Sequence, residues 1–159
     1  MSLAKPSLLF VPGAWHDLSC FMPTTSILEK EGYTCDLIAL PSIGSERRGD
    51  QPPQDWNADV EEIRQRVMKH LDNGTDVVLV LHSYGGTVGS EAMKGLGRKD
   101  RESAGMKTAV LRMVYLSALV LDVDDWIWRA TGNKPIDPTR TILKVPFTTS
   151  FICSCGSGS

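Results

Sequence analysis

The stretch Leu79-Val80-Leu81-His82-Ser83-Tyr84-Gly85-Gly86 places a serine between a short apolar run and a segment of helical periodicity. A hydroxyl in such a turn projects from the end of a strand. Small residues after it let the chain fold sharply and let helix and strand approach. The following helix aims its N-terminus at the hydroxyl, which favours developing negative charge. The chemistry this suggests is attack by Ser83 on a carbonyl carbon, with the Tyr84 N–H holding the oxyanion. The structural alternative is a serine that only caps the helix. A second stretch, Val11-Pro12-Gly13-Ala14-Trp15-His16, also follows an apolar run. An oxyanion needs a second N–H donor, and a glycine-containing turn can offer one. Ala14 is the first candidate for it and Trp15 the second.

A serine hydroxyl is a poor nucleophile without a base. The sequence has three histidines, His16, His70 and His82, and all precede Ser83. His82 adjoins the serine, but consecutive side chains at a strand's end point apart. His16 lies in the loop that carries the second N–H and is the candidate base. His70 is expected to be solvated or to face a helix dipole. No dinucleotide fingerprint is complete, because G-x-G-x-x-G would need glycine where Tyr84 stands, and there is no P-loop. Cys20, Cys35, Cys153 and Cys155 fit no zinc spacing, Cys20 and Cys35 are read as ordinary thiols, and no cofactor and no metal are expected.

The elements that would position these residues alternate between strand and helix. Ser7–Val11 reads as a buried strand ended by Pro12-Gly13. A helix is expected over about Ser19–Glu31, with Pro23 in its first turn and Gly32 as terminator. Tyr33–Leu40 reads as the second strand, and 41–54 as a loop. Trp56, Val60, Ile63, Val67 and Leu71 recur on one helix face, with Asp55, Asp59, Glu61 and Glu62 crowding its start and Lys69 and His70 in its last turn. Asp76–Leu81 reads as the third strand and Tyr84–Leu96 as the next helix. Residues 97–107 read as an exposed loop, and a fourth strand falls within Ala109–Val120. Asp122–Thr131 reads as a short helix, and the pattern then decays. Alternation of this kind predicts an α/β fold, a mostly parallel sheet with helices on both faces.

The chain has 159 residues, one domain's worth, with 42% hydrophobic and 23% charged residues. Its 17 basic and 19 acidic residues leave a net charge of −2, which argues against a nucleic-acid partner held by bulk charge. No apolar run approaches the roughly 20 residues of a membrane span. The start lacks the apolar core of a signal peptide, so the expected address is cytoplasmic. The arginines at 47–48 and 98–101 are expected to be solvated loop charge.

Together, HSYGG and FVPGAWH resemble the α/β-hydrolase superfamily: the first its G-x-S-x-G elbow, the second its oxyanion segment. The resemblance is to the smaller esterase-like members, a group that includes plant methyl esterases, hydroxynitrile lyases and fungal proteins, and it covers roughly residues 5–135. It implies Ser83 as nucleophile, Ala14 and Tyr84 as oxyanion donors, and a strand order of second, first, third, fourth. It also marks Asp122 as candidate acid, since some members place the acid after this strand. Three departures stand out. Leu81 occupies a position usually small, where Gly85-Gly86 could compensate. Pro12 replaces a common histidine. The family's histidine follows the nucleophile, and here none does. The expected organisation is therefore 1–121 as the N-terminal part of the core, 122–150 as the start of a cap, and 151–159 as a disordered tail. On this reading the chain is C-terminally truncated, and its fourth strand is left as an open apolar edge. The implied activity is hydrolysis of small carboxylic esters or related acyl substrates, much weakened here. The alternative is a non-catalytic protein that holds a small apolar ligand on the same scaffold.

Overall fold

The computed structural model describes residues 4–49, 51, 53 and 55–119. Asp122, the segments 122–150 and 151–159, and Cys153 and Cys155 lie outside the described residues. Among the described residues four parallel strands, β1 (Ser7–Val11), β2 (Cys35–Leu37), β3 (Val77–His82) and β4 (Val110–Leu116), pair in the order β2-β1-β3-β4. That is the order the resemblance implied. The two central strands are apolar on both faces. Leu9, Val11, Leu79 and Leu81 point into one layer, Phe10 and Val80 into the other, as the two-residue period of a strand requires. Each such side chain, fully buried, contributes about 1.5–3 kcal/mol.

Among the described residues five helices accompany the strands: α1 (Met22–Lys30), α2 (Ser45–Arg48), α3 (Asn57–Asp72), α4 (Gly85–Ala92) and α5 (Arg98–Ser103). Phe21, in a 3-10 turn at Leu18–Phe21 before α1, covers the layer of Phe10 and Val80. Helices α3 and α4 cover the other layer through Ile63, Val67, Leu71, Val88 and Ala92. Pro23 sits in the first turn of α1, and Gly32 (φ +81°) and Gly74 (φ +81°) follow α1 and α3 in the left-handed conformation that glycine adopts freely.

Several sequence expectations shift. β2 is shorter than 33–40, although Ile38 and Leu40 beyond it are still buried. The 41–54 segment contains α2, and Arg48 is not simply solvated: its guanidinium donates to the carbonyls of Ile43 (2.7 Å) and Pro41 (2.9 Å). Residues 97–107 are not an open loop but contain α5. There Arg98 pairs with Asp76 (2.8 Å), while Arg101 is buried and donates to Thr108 O (3.0 Å). Charge pattern alone hid these partners, because they lie far away in sequence or on the carbonyl backbone.

The buried face of α3 runs Asp59, Ile63, Val67, Leu71 in four-residue steps, so an aspartate heads the stripe in place of Trp56, which is 37% exposed. His70, expected to be solvated, instead bonds Ser7 Oγ (3.1 Å) and Asp36 Oδ2 (3.1 Å). Leu81 is accommodated, but not by Gly85-Gly86. Its Cδ2 occupies the space that a Cβ on Gly89 would need, so the missing side chain one turn into α4 makes room for it. At the other edge β4 exposes Leu111 (41%), Met113 (40%) and Val114 (40%). Among the described residues no helix is long and apolar enough to cross a membrane.

Two outcomes follow from this packing. Gly89→Ala replaces a poor helix former by a good one, yet overpacking should prevail and cost about 1–2 kcal/mol in urea unfolding. The Leu81→Ala/Gly89→Ala double variant should then lose less than the sum of the two single losses. Burial would push the Asp36 carboxyl up, but hydrogen bonds and charge from Arg66 and His70 prevail and hold it below its ordinary value. A depressed carboxyl contributes stability above its unfolded value, about pH 3.9, and loses it as pH falls through the lower folded value. Asp36→Asn should therefore be less stable at pH 7 and show a shallower loss between pH 5 and pH 2.5, read from urea midpoints at each pH.

Candidate active site

Three loops meet at the carboxyl edge of the sheet, and the central one carries Ser83. Its backbone is left-handed (φ +51°), unusual for a residue with a side chain. Trp15 after β1 (φ 62°) and Ser117 after β4 (φ 43°) share that conformation, so among the described residues the positive-φ non-glycine residues all sit at this edge. Strain of this kind persists only where the surroundings over-determine it, and it gathers at functional sites.

Those surroundings are backbone atoms and β-carbons of the neighbouring loops. A Cβ on Gly13 would lie 2.8 Å from Ser83 Cβ, and one on Gly85 would lie 2.7 Å from Pro12 O and 2.8 Å from Val11 O. A Cβ on Gly86 would lie 2.5 Å from Leu119 O and 2.8 Å from Ala118 Cβ. The glycines thus bring the β1 loop against the serine turn on one side and the β4 loop on the other. Hydrogen bonds complete the seam on the β4 side, from Ser83 N to Leu116 O (3.3 Å) and from Leu119 N to Ser83 O (3.0 Å).

The β1 loop closes as a turn through His16 N to Gly13 O (3.1 Å). No described acceptor engages the N–H groups of Ala14, Trp15 or Tyr84. Ala14 and Tyr84 are therefore on adjoining loops, each with an N–H that no described acceptor engages. The histidines are arranged otherwise. His16 is exposed, with Nδ1 against Ala14 O (2.9 Å), and its ring meets His82 edge-on at 4.8 Å. His82 packs beside Gly13 and Phe21, and its buried Nδ1 has no partner among the described residues. Burial, then the neighbouring His16, lowers the His82 pKa, which favours the neutral ring. His70 belongs to the cluster with Ser7 and Asp36. None of the three histidines hydrogen-bonds Ser83. Among the described residues there is no cluster of groups fit to hold a metal ion.

Asp59 is the residue that sequence reasoning missed as part of the site. It is fully buried and accepts from Tyr84 OH (2.9 Å), Ser42 Oγ (2.6 Å) and Ser42 N (2.9 Å). One carboxylate therefore ties α3, the loop after β2 and the residue following Ser83. A signal was present: Asp59 stands in register with Ile63, Val67 and Leu71, and a carboxylate on a buried stripe needs partners. Arg64 of α3 adds a second tie, donating to Ala92 O (2.8 Å) and Lys94 O (2.9 Å) at the end of α4.

Burial, then the bond to Asp59 and its charge, push the Tyr84 phenol far above its ordinary value. A group whose folded pKa is raised contributes stability below its unfolded value, near pH 10, and loses it as pH rises through the folded value. Tyr84→Phe should remove the last-titrating component of the alkaline absorbance change at 295 nm. It should also flatten the loss of stability above pH 10.

The sequence model of the alpha/beta hydrolase family matches residues 8–151. A protein of Aspergillus novofumigatus named alpha/beta hydrolase nvfD is 40% identical over 124 residues, covering 77% of this chain and 47% of its own length. A Phoma sp. protein named Probable hydrolase R7 is 32% identical over 132 residues, covering 83% of this chain and 50% of its own length. The chain thus spans about half the length of these curated relatives. A family match over most of the sequence, on a sheet in this strand order with a left-handed serine at the end of its third strand, shows that the chain belongs to the alpha/beta hydrolase family.

Proposed function

We propose that this chain carries the nucleophile and oxyanion half of a serine hydrolase acting on small carboxylic esters or related acyl substrates. The observation that carries the reading is the left-handed Ser83 between β3 and α4, with the unengaged N–H groups of Ala14 and Tyr84 on adjoining loops. Relatives named as hydrolases support it. Ser83 Oγ bonds to the carbonyl carbon, and the carbonyl π pair moves to oxygen, where the two N–H groups receive it. The hydroxyl proton leaves to a base. Collapse of the intermediate re-forms the carbonyl and expels the alkoxide, which takes up a proton, and water then releases the acid from the acyl-enzyme.

His16, on the oxyanion loop, is the base we assign to the chain as it stands, and Asp122 the acid. Without an imidazole already bonded to the serine, turnover is slow. In serine proteases that lack a triad member, the oxyanion hole and binding leave only about 10³–10⁴-fold acceleration over water. A second reading has its own observation. No histidine bonds Ser83, which suits a scaffold that binds a small apolar ligand without consuming it.

A fluorophosphonate probe separates the two. Slow labelling of the 159-residue chain that disappears in Ser83→Ala and falls at least tenfold in His16→Ala is the expected result. Folded protein that resists labelling would favour the ligand-binding reading. Turnover like that of a complete esterase would contradict the assigned weakness.

A further inference from the structure

The loop after β1 faces the loop between β2 and α2 across a cleft of about 670 Å³. Small-molecule sites span roughly 300–1,000 Å³. Trp15 stands at its lip, 84% exposed and with φ +62°. Core packing does not account for such a residue, since the indole gains little burial while the backbone stores strain. An observed outlier of this kind points to use by a ligand. The flanks hold it in place: His16 closes the turn onto Gly13 O, and Asp17 caps the following 3-10 turn through Ser19 N (2.9 Å).

The opposite wall is braced as well. Arg48 donates to the carbonyls of Pro41 and Ile43, and Ser42 is tied to Asp59. Leu18, Leu40 and Ile43 supply apolar surface inside the cleft. Among the described residues the only fully charged side chains lining it are Asp17 and Arg48, one of each sign, so these give it no net charge. The cleft also adjoins the serine. Pro12 lines it, the next residue, Gly13, abuts Ser83, and Gly85 lies against the Pro12 carbonyl.

We propose that this cleft binds an uncharged aromatic ring, stacked on the Trp15 indole, as the aryl part of an ester presented to Ser83. Aromatic pairs gain from offset or edge-on contact beyond the area they bury. Assigning the ring to a substrate rests on the serine-hydrolase reading, whereas binding of the ring does not.

The test is calorimetric titration of the full chain carrying Ser83→Ala with methyl 2-naphthoate, and with its saturated decalin counterpart as control. Expected is millimolar or tighter binding of the naphthoate, at least fivefold weaker binding of the saturated ester, and a tenfold or greater loss in Trp15→Ala. Trp15→Phe should restore most of that loss, and Trp56→Phe should change nothing. Trp15 is exposed, so its removal leaves the core intact. Naphthoate binding that is absent, or equal in Trp15→Ala and its parent, overturns the proposal. Ser83 labelled normally beside Trp15-independent binding would sink the cleft alone. Trp15-dependent binding beside an inert Ser83 would sink the hydrolase reading and leave the ring site standing.

Discussion

The carboxyl edge of this sheet is organised by backbone approaching backbone where no side chain fits. Gly85 lies against the carbonyls of Val11 and Pro12, Gly86 against Leu119 O, and Gly13 against the Ser83 β-carbon. Each is closer than a Cβ would allow. This contact holds Ser83 left-handed at the head of α4 and brings the N–H groups of Ala14 and Tyr84 to neighbouring loops. The same principle recurs one turn on, where bare Gly89 gives Leu81 its place in the core. A bulky residue two before the serine is therefore compatible with the turn, because the space is taken from the helix and not from the elbow.

Polar ties then stop these loops from drifting. Asp59 is the chief of them, fully buried and bonded to Tyr84 and Ser42. A lone buried carboxylate is costly, so its three hydrogen bonds are required by the fold as much as they support the site. Through them α3 reaches the residue after Ser83 and the loop that walls the cleft. At the opposite edge Asp36, Arg66, His70 and Ser7 join β1, β2 and α3 in a second polar cluster. The sheet is thus clamped at both ends by side chains of one helix. A Ser-His-Asp arrangement at that far edge does not make a catalytic site, because Ser7 is buried within a strand. Residue types alone do not distinguish it from a triad, and burial does.

The legible parts of the sequence were those written in local pattern. The runs SLLFV and DVVLVL, the breakers Pro12-Gly13 and Asn73-Gly74, and the four-residue period of α3 predict their elements directly, and HSYGG with FVPGAWH identified the family. The illegible parts depended on partners distant in the chain. Arg101 looked like solvent-facing charge until Thr108 and Met68 surrounded it, and His70 until Ser7 and Asp36 met it across two strands. Asp59 gave a faint signal by standing in the apolar register, but its partners lie 17 and 25 residues away.

By itself, then, the sequence determined the alternation of strand and helix, the position of Ser83 in a turn and the placing of all three histidines before it. These follow from hydrophobic period, from turn chemistry and from simple order along the chain. Only the tertiary structure decided which glycines admit close backbone contact, which charges are paired, and that Trp15 stands strained and exposed beside a cleft. Those are properties of space between segments, and a linear pattern carries no record of which distant atom will fill it.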